Sequence, residues 1–140
     1  MDEFMAKLCE LLSEQFIEQK SVSPVLLFSK PGGIEVLPLG EMIDHKDFVA
    51  ALIRKLRSMS PQVCFVSECW VVTDAKKGVV PSKHPDREEI VMVMTYEGLD
   101  VGFWSAPILR SGDWAELGKW EKKDCDHIEG RMVEGPPSWN

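Results

Sequence analysis

Between Val63 and Leu109 the chain carries three strand-like runs separated by turn signals, and this stretch constrains the fold more than any other. The runs cover about 63–73, 88–97 and 100–109. Glu97-Gly98-Leu99-Asp100 joins the last two tightly, while residues 73–87 form a longer connection containing Gly78, Pro81 and Pro85. Upstream, Val25–Phe28 and Ile34–Leu37 flank Pro31-Gly32-Gly33, which marks a hairpin because glycine supplies the backbone angles of a tight reversal.

Two helices complete the pattern. Phe4, Leu8, Leu11, Leu12 and Phe16 recur at helical spacing, with Lys7, Glu10, Glu14 and Glu18 on the other side, and Pro24 ends the segment. A second helix, capped by Asp44 or Asp47, carries the stripe Phe48, Leu52, Leu56 and Met59 and stops before Pro61. The order α-β-β-α-β-β-β lacks the strand–helix alternation of a doubly wound sheet. Its short links imply antiparallel neighbours, so the chain predicts an α+β fold: a single mainly antiparallel twisted sheet with both helices packed on one face. Residues 1–134 read as one domain and 135–140 as a tail. Within the less regular stretch from Ser111, Ser111-Gly112-Asp113 predicts a short helical turn through Trp114, Ala115 and Leu117, and 128–133 an edge strand.

The 140 residues, 44% hydrophobic and 28% charged, are enough to bury a core without metal or disulfide support. A net charge of -7, spread over both halves, repels phosphate backbones and argues against nucleic-acid and anionic-membrane binding. No run approaches the apolar length of a membrane span, and no basic apolar leader begins the chain. Cys9, Cys64, Cys69 and Cys125 have neither disulfide-framework nor zinc-finger spacing, which predicts reduced thiols, no bound zinc and a cytoplasmic location.

The chemistry-bearing residues gather at the middle strands. Glu68 lies between Val66 and Trp70 on one strand face, where a buried carboxylate needs a partner. Arg87 is the expected one, in a bidentate pair. Read instead as a site, Glu68 with His84, Asp86 and Glu88 would form a hydrolytic or metal-dependent cluster, and Arg87 would stabilise an anionic substrate. No spacing here completes a catalytic motif, and Cys125-Asp126-His127 and Asp44-His45-Lys46-Asp47 each lack enough ligands for zinc. Glycine-rich phosphate loops and a serine-hydrolase elbow are absent. No cofactor is expected. All five tryptophans lie at position 70 or beyond, and Trp104, Trp114 and Trp120 are candidate interface residues. The sequence therefore predicts a small cytosolic interaction or accessory domain that contacts another protein or itself, as a homodimer. The alternative is an enzyme built on Glu68, His84, Asp86, Arg87 and Glu88.

Overall fold

A computed structural model describes residues 3–71 and 88–123. The elements run α1 (Glu3–Gln19), β1 (Val25–Lys30), β2 (Gly33–Pro38), a 3-10 turn (Gly40–Asp44), α2 (Lys46–Met59), β3 (Gln62–Val71), β4 (Glu88–Glu97), β5 (Asp100–Ser111), β6 (Trp114–Leu117) and β7 (Glu121–Lys123). All strand pairs are antiparallel, in the order β2-β1-β3-β4-β5-β6, with β7 also on β5. The α+β class, the antiparallel sheet and the element order read from the sequence hold.

Helix placement differs from the expectation. The two helices lie on opposite faces of the sheet. Val63 and Phe65 of β3 and Met92, Met94 and Tyr96 of β4 pack with Val49, Ala50, Ile53 and Leu56 of α2. The alternate residues Cys64, Val66, Val91 and Val93 pack with Met5, Leu8, Cys9, Leu12 and Phe16 of α1. The physical reason lies in β3 and β4, whose Val63–Val66 and Ile90–Met94 are apolar at every position. Such strands are buried on both sides, and each side needs its own cover.

The stripe on α2 is also rotated from the expected one. Val49, Ala50, Ile53 and Leu56 are buried and Leu52 packs partly against them, whereas Phe48 is 50% exposed and Met59 more so. At the start of α2, His45 is the N-cap and makes no side-chain capping bond; Asp44 ends the 3-10 turn and Asp47 sits in the first helical turn, where an acid suits the dipole. The C-terminal end is clipped to the β4–β5 hairpin by Arg57. Its Nη2 donates to the Gly98 carbonyl at 2.7 Å, and its guanidinium stacks 4.8 Å from the Tyr96 ring centre. Among the described residues Nε and Nη1 of Arg57 are buried without a hydrogen-bond acceptor, and the ring's π face offsets their desolvation.

The turns follow their residues. Pro31 and Gly32 join β1 to β2, with Gly32 at φ 90°. Gly112 at φ 58° opens a two-residue loop from β5 into β6, so the segment expected to form a helical turn is a hairpin instead. β5 is shared among three partners: residues 100–107 pair with β4, 108–111 with β6 and 103–105 with β7. At the handover, Gly118 N–H donates to the Pro107 carbonyl at 2.8 Å. A Cβ at Gly118 would lie 2.7 Å from Cγ of the Pro107 ring, so this approach requires glycine. Among the described residues no helix is long and apolar enough to cross a membrane.

Candidate functional site

Strand alternation decides which polar residues meet. Cys64, Val66, Glu68 and Trp70 of β3 point to the α1 face, and the register Glu68↔Val91 and Trp70↔Glu89 puts Glu89 there too. Glu88, opposite Val71, points to the α2 face. Glu68 and Glu88 therefore diverge rather than converge on a common ligand. His84, Asp86 and Arg87 lie outside the described residues, as does Cys125-Asp126-His127. Among the described residues no three His, Cys, Asp or Glu side chains are grouped to hold a metal.

Glu68 is half-buried, and its Oε1 accepts the Val22 N–H at 3.2 Å, fastening the α1–β1 link to β3. Arg110 of β5 forms a bidentate pair with Glu89, Nη2 to Oε1 at 2.7 Å and Nε to Oε2 at 3.2 Å. Burial pushes the Glu68 carboxyl above its ordinary range, opposed by the Val22 bond; the Glu89 charge raises it further and Arg110 lowers it. Glu89 and Arg110 were the residues sequence reasoning missed here. The signal that finds them is register, since Glu89 shares a face with Glu68 and Glu88 does not.

A raised carboxyl pKa means that folding is penalised while Glu68 is ionised, and the penalty fades as pH falls through the native pKa toward the ordinary value. Glu68→Gln removes the charge and keeps an acceptor for Val22. Its stability at pH 7 is expected to equal or exceed the parent's, with the parent gaining on it as pH falls. Glu68→Ala strands the Val22 amide and should cost about 1–3 kcal/mol. Urea unfolding of both variants from pH 7 to pH 4 checks this; a Gln variant as weak as the Ala variant would reveal a stabilising ion pair instead.

The thiols are not set up for nucleophilic work. Burial pushes Cys9 up to about 11 and Cys69 up to about 12, leaving little thiolate at neutral pH. No disulfide links Cys9, Cys64 or Cys69.

The three tryptophans named from the sequence fall in different settings. Trp120 is half-buried against the α1 core, and its Nε1 donates to Ser13 Oγ at 3.0 Å, tying the β6–β7 link to α1. Trp104 packs on the same core under the Lys122 ammonium, 5.9 Å from its ring centre. These two serve the fold, and Trp114 alone of the three is exposed. Beside Trp104 lies an open hollow of about 480 Å³ that also takes in Thr95, Glu97, Asp100 and Lys122.

An exposed apolar edge lies at β2. β2 ends the sheet, and among the described residues nothing pairs on its outer side. The Leu39 N–H bonds the Pro24 carbonyl at 3.0 Å, which sets the phase of the ladder: Leu37, Glu35 and Gly33 bond to β1, while Ile34, Val36 and Pro38 turn their backbone groups outward. Pro38 has no N–H, so the free donors of this edge are those of Ile34 and Val36. Their side chains are 47% and 54% exposed and lie on the α1 face, since Val36 pairs with Leu27 of the α1-side core.

Half-buried Val25 and Leu27 of β1 lie on the same face, opposite Pro38 and Val36. The result is an apolar strip alongside a strand edge that no described residue pairs with. Comparison of the chain with protein-family models, curated proteins and solved structures gives no match.

Proposed function

We propose that the chain is a small cytosolic interaction domain that works by protein–protein contact, engaging its partner along the outer edge of β2. The observation that carries this is the coincidence of two unmet needs. Outward backbone donors at Ile34 and Val36 want a strand, and the exposed side chains of Ile34 and Val36 want an apolar cover. Natural sheets blunt a free edge with charges or bulges, or cover it. β2 carries one charged residue, Glu35, whose partner is Lys30 on the neighbouring strand, and its outward-bonding residues are apolar. At the far end of the sheet, β6 has four residues with Glu116 among them, a poorer template. Strand addition gives affinity through main-chain bonds and specificity through alternate side chains, which suits this edge. Cytosolic placement is supported by the thiols without disulfides at Cys9 and Cys69.

The enzyme reading has one supporting observation, the half-buried Glu68 with its raised pKa beside the Glu89–Arg110 pair. Glu88 lies on the opposite face, and Glu89, on the same face as Glu68, is already engaged by Arg110, so the interaction reading is preferred. A photo-crosslinking amino acid placed at position 36, with position 116 on β6 as control, tests the choice in cells that make the protein. Adducts specific to position 36 are expected, whether with another protein or a second copy. No adduct, or the same adducts from both positions, would contradict it.

A further inference from the structure

We infer that the occupant of the β2 edge is a second copy of this chain, added as an antiparallel strand about a twofold axis at Val36. This rests on the reading of β2 as the interaction surface and names its partner. The edge is self-complementary in three respects. First, the outward backbone groups match themselves. With Val36 on the axis, the two Val36 residues exchange both N–H···O bonds, and each Ile34 N–H meets the Pro38 carbonyl of the second copy. Pro38 contributes the acceptor it has and is not asked for the donor it lacks.

Second, the side chains match. A twofold normal to the sheet keeps the α1 face of both copies on one side. There Val36 stands against Val36 and Ile34 against Pro38 of the second copy. Val25 and Leu27 of both copies lie on the same side of the joined sheet. Third, charge excludes the neighbouring register centred on Glu35. On the opposite face, centring on Val36 places Glu35 across from Leu37 of the second copy. Centring on Glu35 would set two carboxylates directly opposite, at about 4.5 Å between Cα atoms, which is unfavourable. A one-residue slip would bring α1-face side chains against α2-face ones and is excluded by the pleat.

The pairing is tested by single added cysteines, with the parent's own four as the background. Residues opposite one another in a hydrogen-bonded antiparallel pair have Cα atoms about 5.5 Å apart, within disulfide reach. The full chain carrying Val36→Cys, under mild oxidation, is expected to form a disulfide-linked dimer at least about tenfold faster than either Glu35→Cys or the parent. Circular dichroism confirms that each variant is folded, and light scattering of the parent should give a mass that rises with concentration toward a dimer. Faster linkage of Glu35→Cys would overturn the register. A parent that stays monomeric, with Val36→Cys no faster than the parent, would overturn self-pairing. If crosslinking at position 36 in cells still captures a different protein, the interaction reading survives that loss; if it captures nothing, both fall together.

Discussion

Truncating Ile53 to alanine is expected to lower the unfolding free energy by about 2–5 kcal/mol, whereas truncating Phe48 should change it by less than about 1 kcal/mol. Phe48 is the larger side chain and the one a helical stripe through Leu52, Leu56 and Met59 would bury. Ile53 is fully buried among Val49, Ala50 and Leu56 against Phe65 and Met94, and its loss leaves a cavity between α2 and the sheet. Phe48 is half in solvent, and its removal leaves none. Urea unfolding of the two variants side by side reads the difference. Equal costs would place α2 about one residue's rotation from the orientation described here.

Phe16→Ala carries the second large effect. Phe16 is fully buried at the C-terminal end of α1, one turn before Lys20 closes the helix with a left-handed φ of 58° and an N–H bond to the Phe16 carbonyl at 2.7 Å. Loss of its ring is expected to cost about 3–5 kcal/mol. Leu11→Ala on the same helix should cost less than about 1 kcal/mol, because Leu11 is half in solvent. Because α1 and α2 cover opposite faces of one sheet, Phe16→Ala and Ile53→Ala should each give a single cooperative transition rather than releasing one helix alone. Thermal unfolding followed both by tryptophan fluorescence and by far-ultraviolet dichroism checks this, with coincident curves as the expected outcome.

These contrasts mark what was legible in the sequence. Apolar spacing locates both helices, and Pro31-Gly32 and Gly98 locate two hairpins, because such signals are local. The burial side of α2 was not legible. Val49, Ile53 and Leu56 form as good a stripe as Phe48, Leu52 and Met59, and only the residues under the helix choose between them. Placement of the helices on both faces was legible in principle. Val63–Val66 and Ile90–Met94 are apolar at consecutive positions, and a strand with one solvated face would alternate. Trp114 was read as helical because Ser111-Gly112-Asp113 resembles a cap, yet Gly112 at positive φ starts a hairpin.

The candidate site was less legible for the same reason. The importance of Glu68 follows from its apolar neighbours, but its partners follow from register. Glu89 is selected over Glu88 by the pairing with Trp70, and Val22 reaches Glu68 across 46 residues of sequence. Trp120 was named as an interface candidate, and the structure gives its Nε1 a contact within the fold, with Ser13. The β2 edge gave no composition signal, since Ile34 and Val36 look like ordinary strand residues. What distinguishes them is position at the end of the sheet order together with the ladder phase set by Leu39 and Pro24.

The self-pairing of β2 is tested most directly by amide hydrogen exchange, resolved residue by residue, at low and high protein concentration. Glu35 and Leu37 donate to β1 and are expected to be protected at every concentration. Ile34 and Val36 donate outward, so their amides should exchange freely in dilute solution and become protected as concentration rises. Rapid, concentration-independent exchange at Ile34 and Val36 beside protected Glu35 and Leu37 would contradict pairing of this edge with a second copy.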